Sequence, residues 1–252
     1  MRAARTIATT LATLGIGLLA GGTVLVMVAA PADAQTGSAP GARTTAGAPR
    51  GALIAQAKQR ADEAIDRRLQ KLGALQTKVN TSRAVTAAHR STLLGQLGPA
   101  YDGLAALRTT IDAESNPVAL RSEMQSIVDA YRVYALVEPR VGEVLAADEE
   151  LAAVAKLEAV AAKIDSRITA LAGKDTTAAA AALASMRAAT SSARQHVSGV
   201  ADSVIGLTAS GYPANRTSLQ AAHEALRQGR EDLRTARREG VVAVNALKAS
   251  AA

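Results

Sequence analysis

The side chains best able to do chemistry in this chain are three histidines, scattered carboxylates and serines, and a row of arginines near the C-terminus. Spacing decides what each could do. Helical metal sites set histidines and carboxylates three or four residues apart, so that the donors share a face. His89 follows Val85 and Thr86, His196 lies between Ser192 and Val200, and His223 lies between Leu219 and Arg227, with Glu224 on a different face. These read as surface or boundary histidines, and neither a metal nor another cofactor is expected. Nucleophilic catalysis needs a nucleophile, a base and a group to orient the base. No G-x-S-x-G, P-loop or G-x-G-x-x-G pattern occurs. Asp148, Glu149 and Glu150 are consecutive, and consecutive residues on a helix point in different directions. They are expected to form an exposed acidic face, and no catalytic residue is assigned. The chain is expected not to be an enzyme.

The strongest positive signal is cationic. Arg227, Arg230, Arg234 and Arg237 recur at i, i+3, i+7 and i+10, which puts them on one side of a helix, with Arg238 beside them. Glu231 can pair with Arg227 or Arg234, leaving Arg230, Arg237 and Arg238 largely unneutralised. Such a row either binds the phosphates or carboxylates of an anionic wall polymer or lipid, or is a solvated helix face. The net charge of +7 and pI near 10 suit an anionic partner. Nucleic acid is not expected as that partner: Trp and Phe are absent and only four Tyr occur, so stacking side chains are scarce. A second polar cluster, Tyr131-Arg132-Val133-Tyr134 with Glu138-Pro139-Arg140, puts Tyr131 and Tyr134 three residues apart on one face, within possible reach of Tyr101. It is expected to fill a gap where a bundle bends at Pro139. Asn80-Thr81-Ser82 and Asn215-Arg216-Thr217 match the glycosylation pattern, to which no function is attached.

The elements that carry these residues are helices. Of 252 residues 60 are Ala, the best helix former. Residues 52–79 carry Ile65, Leu72 and Val79 at heptad spacing. Thr86 is the expected N-cap of a second helix with Leu97, Leu104 and Ile111 in one seam, and Pro99 is expected to kink it. Asn116-Pro117 should open a third helix that continues through Tyr131 and Tyr134 until Pro139 breaks it after Glu138. A fourth, over 140–172, ends near Gly173. A fifth starts at Asp175-Thr176 and carries Leu183, Met186, Val197, Val200 and Val204 inward, the least bulky stripe of all. The longest interior loop runs from Gly206 to Asn215. The last helix spans 216–248, with Leu219, Leu226, Leu233 and Leu247 at one heptad position and Gly240 interrupting them. The fold class is therefore all-α: an elongated antiparallel bundle of five to six long amphipathic helices over residues 52–250, with coiled-coil-like packing. Ile65-Asp66-Arg67-Arg68-Leu69 and Ile164-Asp165-Ser166-Arg167-Ile168 share a pattern 99 residues apart, and Pro117 and Pro213 lie 96 apart, so residues 52–138 and 140–250 are either two copies of one unit or a coincidence of a repetitive helical sequence.

The N-terminus reads as an address. Arg2 and Arg5 precede an uncharged apolar stretch from Ile7 to Ala30, and Ala32-Asp33-Ala34 places small residues where signal peptidase cleaves. Residues 1–34 are expected to be a signal peptide removed after Ala34, and 35–51 a flexible tether rich in Ala, Gly, Pro and Thr. The alternative is an uncleaved anchor, since 24 apolar residues can span a bilayer. Both place the bundle outside the cytoplasm, secreted or in the cell envelope. The A-D-A site, Asp129-Ala130-Tyr131-Arg132-Val133-Tyr134 with Pro139, and Gly211-Tyr212-Pro213-Ala214-Asn215-Arg216 resemble secreted Ala/Leu-rich helical proteins of high-GC actinobacteria, over residues 58–248. That resemblance implies export and helicity and supplies no catalytic residues. The expected role is a non-enzymatic envelope or extracellular protein that contacts other proteins, itself, or an anionic surface polymer. Membrane contact is expected only through an uncleaved N-terminal segment.

Overall fold

Ile65, Leu69, Leu72, Leu75 and Val79 fall on one face of an amphipathic helix, and that helix, α1, spans Arg50–Thr81. The computed structural model describes residues 50–251. The cleavage site at Ala32 and Ala34 and the tether up to residue 49 lie outside the described residues. Arg50 and Gly51, assigned above to the tether, already belong to α1. All regular elements among the described residues are helical, so the all-α assignment holds.

Local chemistry sets most boundaries. Thr86 caps α2 (Ala87–Ala113), its hydroxyl accepting from the His89 amide at 3.1 Å. Asn116 caps α3 (Pro117–Asp129), its carbonyl oxygen accepting from the Val118 amide at 2.9 Å, with Pro117 where a missing N–H costs nothing. α2 stays helical through Pro99, where the sequence predicts a kink.

The third helix ends earlier than the sequence predicts. It stops at Asp129, and the chain turns at Arg132, whose φ of 39° is left-handed. That conformation costs a non-glycine residue about 1–2 kcal/mol. Arg132 is held there from both sides: its guanidinium pairs with Asp129 at 3.0 Å and lies 4.3 Å from the Tyr212 ring centroid. One π-helical turn, Val133–Val137, then leads directly into α4 (Glu138–Ala170). Pro139 therefore sits in the first turn of α4 and starts a helix instead of breaking one. The fifth helix is also divided. α5 (Thr177–Val197) ends at Ser198, Gly199 takes φ 78°, and α6 (Val200–Ile205) follows. After a loop with one 3₁₀ turn at Ala209–Gly211, α7 runs Asn215–Ala251.

The buried side chains form two clusters. The larger joins α1, α2, α3, the first part of α4, α6 and the start of α7, around Ile65, Leu93, Leu104, Leu136 and Leu226. The smaller joins only α4, α5 and α7, around Val154, Ile164, Leu183, Met186 and Leu233. The α5–α7 pair is the most extensive in the molecule. Its α7 side follows strict heptad spacing: Leu219, Leu226, Leu233, Gly240 and Leu247 alternate with Ala222, Gly229, Ala236 and Ala243. Gly240 does not interrupt this seam but belongs to it. A Cβ there would lie 3.1 Å from Met186 Sδ, so the methionine fills the place a leucine would take. At Gly229 a Cβ would run into Val197 Cγ2 and lie 2.9 Å from Glu150 Oε2.

Two glycine-to-alanine changes should therefore have opposite signs. In α1 a Cβ at Gly73 meets nothing within 4 Å, so Gly73→Ala should raise stability by about 0.5–1 kcal/mol. Gly229→Ala should lower it by about 1–3 kcal/mol through overpacking. Urea unfolding of both variants checks the pair.

Candidate functional site

Each histidine, isolated in sequence, is paired in space with a carboxylate from another helix. His89 on α2 places Nδ1 2.9 Å from Asp148 Oδ2 on α4 and Nε2 3.3 Å from Asp202 Oδ1 on α6. His196 on α5 lies 2.9 Å from Asp232 on α7, and His223 on α7 lies 3.1 Å from Glu143 on α4. Asp148 also accepts from the Thr86 amide at 3.0 Å, so one buried carboxylate holds the start of α2 twice. Burial lowers the His89 pKa, but its hydrogen bonds to Asp148 and Asp202 outweigh that and leave it raised. Short-range spacing could not reveal these pairs, because the partners are 36 to 113 residues apart. They tie helices together. Among the described residues no three His, Asp or Glu side chains converge as a metal cluster would.

The acidic triplet departs from expectation. Glu149 is exposed, but Asp148 and Glu150 are buried, at 3% and 7% exposure. The triplet straddles the helix, and its two ends face inward. Glu150 lies between the two apolar clusters with Arg230 Nε 3.8 Å away, and neither of its carboxylate oxygens has a hydrogen-bond partner. Burial pushes its pKa up to about 7 against the pull of Arg230.

The arginine row is partly consumed. Arg227 is gripped by Glu224 at 2.6 Å and Glu231 at 2.9 Å. Arg230 faces Glu150, and Arg238 lies 3.5 Å from Glu239. Among the described residues Arg234 and Arg237 make no ion pair. Arg237 sits at the mouth of a groove between α4 and α7, formed by adjoining cavities of about 350 and 440 Å³ that share Val160, Val244 and Lys248. Apolar side chains line it, Leu157 and Ile164 from α4 and Val241 and Leu247 from α7, and its charged members are Lys163, Arg167, Arg237 and Lys248. The groove was not legible beforehand because it combines two segments about 80 residues apart.

The tyrosines do not gather into a pocket. Tyr131 packs on α2, its hydroxyl 2.6 Å from where a Cβ of Gly103 would lie. Tyr134 is exposed under the Arg68 guanidinium, 5.4 Å from its ring centroid. The turn at Arg132 separates the two rings, which a continuous helix would have aligned. Among the described residues no helix is long and apolar enough to cross a membrane. No protein-family description, curated protein or solved structure matches the chain.

Glu150 sets the expected pH dependence. Its pKa is about 7 in the folded state against 4.5 unfolded, so the folded state binds more protons between these values. Stability associated with this group is full below pH 4.5 and is lost as pH rises to 7, by at most about 3 kcal/mol. His89, also raised, acts in the same direction from 6.5 upward. Glu150→Gln should flatten the fall between pH 4.5 and 7 and leave the protein more stable than wild type at pH 8, measured by urea titrations across pH.

Proposed function

We propose that this chain is an exported, non-enzymatic protein of the cell envelope or extracellular space, acting through contacts of its helical surface with an anionic partner. Export rests on Arg2, Arg5, the apolar stretch 7–30 and Ala32-Asp33-Ala34. If 7–30 is retained, the bundle is a membrane-anchored surface module with the same contact face. The observation that carries the contact role is the α4–α7 groove, whose charged members, Arg237 among them, are all cationic; Arg234, one turn before Arg237 on α7, makes no ion pair among the described residues either. A partner with carboxylates or phosphates gains both charge neutralisation and an apolar floor.

Polyglutamate is a suitable generic polyanion. Arg234→Gln with Arg237→Gln should weaken its binding roughly 2- to 30-fold, because exposed ion pairs contribute about 0.2–1 kcal/mol each. Raising salt should weaken wild type toward the variant. Isothermal titration calorimetry at two salt concentrations checks this, and equal, salt-insensitive binding by both proteins would refute the role of these arginines.

A further inference from the structure

We infer that the α4–α7 groove is the docking site for an acidic amphipathic helix of a partner protein, which completes a four-helix bundle at this end of the molecule. This rests on the proposed contact role and names the partner's chemistry.

The vacancy follows from the way the two cores are built. The smaller cluster draws residues from α4, α5 and α7 alone, so the second half of α4 lies in a three-helix assembly. The cross-helix bonds from α2 to α4 reach only as far as Asp148. Beyond that point one face of α4 and one face of α7 have no covering helix among the described residues, and apolar side chains stand there in the open. Val160 is 41% exposed, Val241 60% and Val244 37%. On α7 the sequence Arg237, Val241, Val244, Lys248 forms a second stripe beside the buried seam of Gly240, Ala243 and Leu247. From Arg237 to Lys248 the groove runs three turns, about 17 Å, enough to hold the i, i+3, i+7 anchors of a docked helix, which span about 11 Å.

Charge separates the candidate occupants. The acids in this half of α4 are already used on the other side: Glu158 binds Arg194 of α5 at 2.5 Å and Asp165 binds Arg187 at 2.9 Å. What α4 turns to the groove is Lys163 and Arg167, and α7 adds Arg237 and Lys248. The apolar floor therefore lies between two cationic banks, the arrangement that pairs with acidic flanking positions of an incoming helix. A second copy presenting the same face would bring eight cations together, which like-charge repulsion opposes. A bilayer is flat, and its headgroups would meet the banks before the acyl region reached the concave floor. A cylinder about 10 Å across fills it.

The test uses the full chain and a fluorescent three-heptad synthetic peptide with Leu at a and d and Glu at e and g. The expected result is binding with a gain of helical circular dichroism, and no comparable binding of the same peptide with Lys at e and g. Val244→Asp should weaken the acidic peptide about tenfold or more without changing the thermal melt. Lys163→Glu with Arg167→Glu should shift preference toward the Lys peptide. Equal binding of the two peptides, or acidic-peptide binding untouched by Val244→Asp, overturns the proposal. So does binding to phosphatidylglycerol vesicles that Val244→Asp abolishes while the peptide fails to bind, which assigns the groove to a membrane surface. The broader contact role falls separately, on the polyglutamate titration of the Arg234 and Arg237 variant.

Discussion

Alanine and glycine at every second seam position of α7 let its backbone come close to α5, and much of the architecture follows from that approach. A helix pair with leucine at both heptad positions keeps its axes farther apart. Here Gly229 lies against Ala193 and Val197 of α5, and Gly240 against Met186. The close seam gives up apolar volume, so stability in this half depends on fit more than on mass. On the outer side of α4 and α7, Val160, Val241 and Val244 line an open groove.

Polar groups mark the level at which one packing scheme gives way to the other. Leu145 and Ala147 belong to the larger cluster and Val154 to the smaller, and Asp148 and Glu150 lie between them. His89 Nδ1 and the Thr86 amide satisfy Asp148, fixing α2 against α4, and His89 Nε2 reaches Asp202 of α6. Glu150 is less well served, with Arg230 at 3.8 Å and no hydrogen bond. Buried polar groups that are incompletely paired cost stability.

The helices were legible because heptad spacing needs only local sequence. Ile65, Leu72 and Val79, and Leu219, Leu226 and Leu233, lie where the pattern put them. The caps Thr86 and Asn116 follow from side-chain chemistry within three residues. The errors arose where a tertiary contact outweighed a local rule. Arg132 turns the chain because Tyr212, 80 residues away, stacks on it, so Tyr131 and Tyr134 part company. Pro139 reads as a breaker from its neighbours alone and as a helix start once that turn is known. The arginine row lies on one helix, α7, but which arginines remain unpaired depends on Glu150 of α4, a distant residue. The groove needed both α4 and α7, and no window of sequence contains them together.

The division of the core also bears on how the molecule breathes. α4 and α7 run through both clusters, while α5 reaches the larger one only at its last residue, Val197. Native proteins open in cooperative units whose free energies vary with local burial. The half built on alanine, with fewer large side chains and one uncovered face, is the unit of lower opening energy. Amide protons of α5 would exchange before those of α1 and α2, and the groove would widen without the larger core being disturbed. A surface of this kind can reshape around an incoming helix at little cost, while the other half keeps the protein folded.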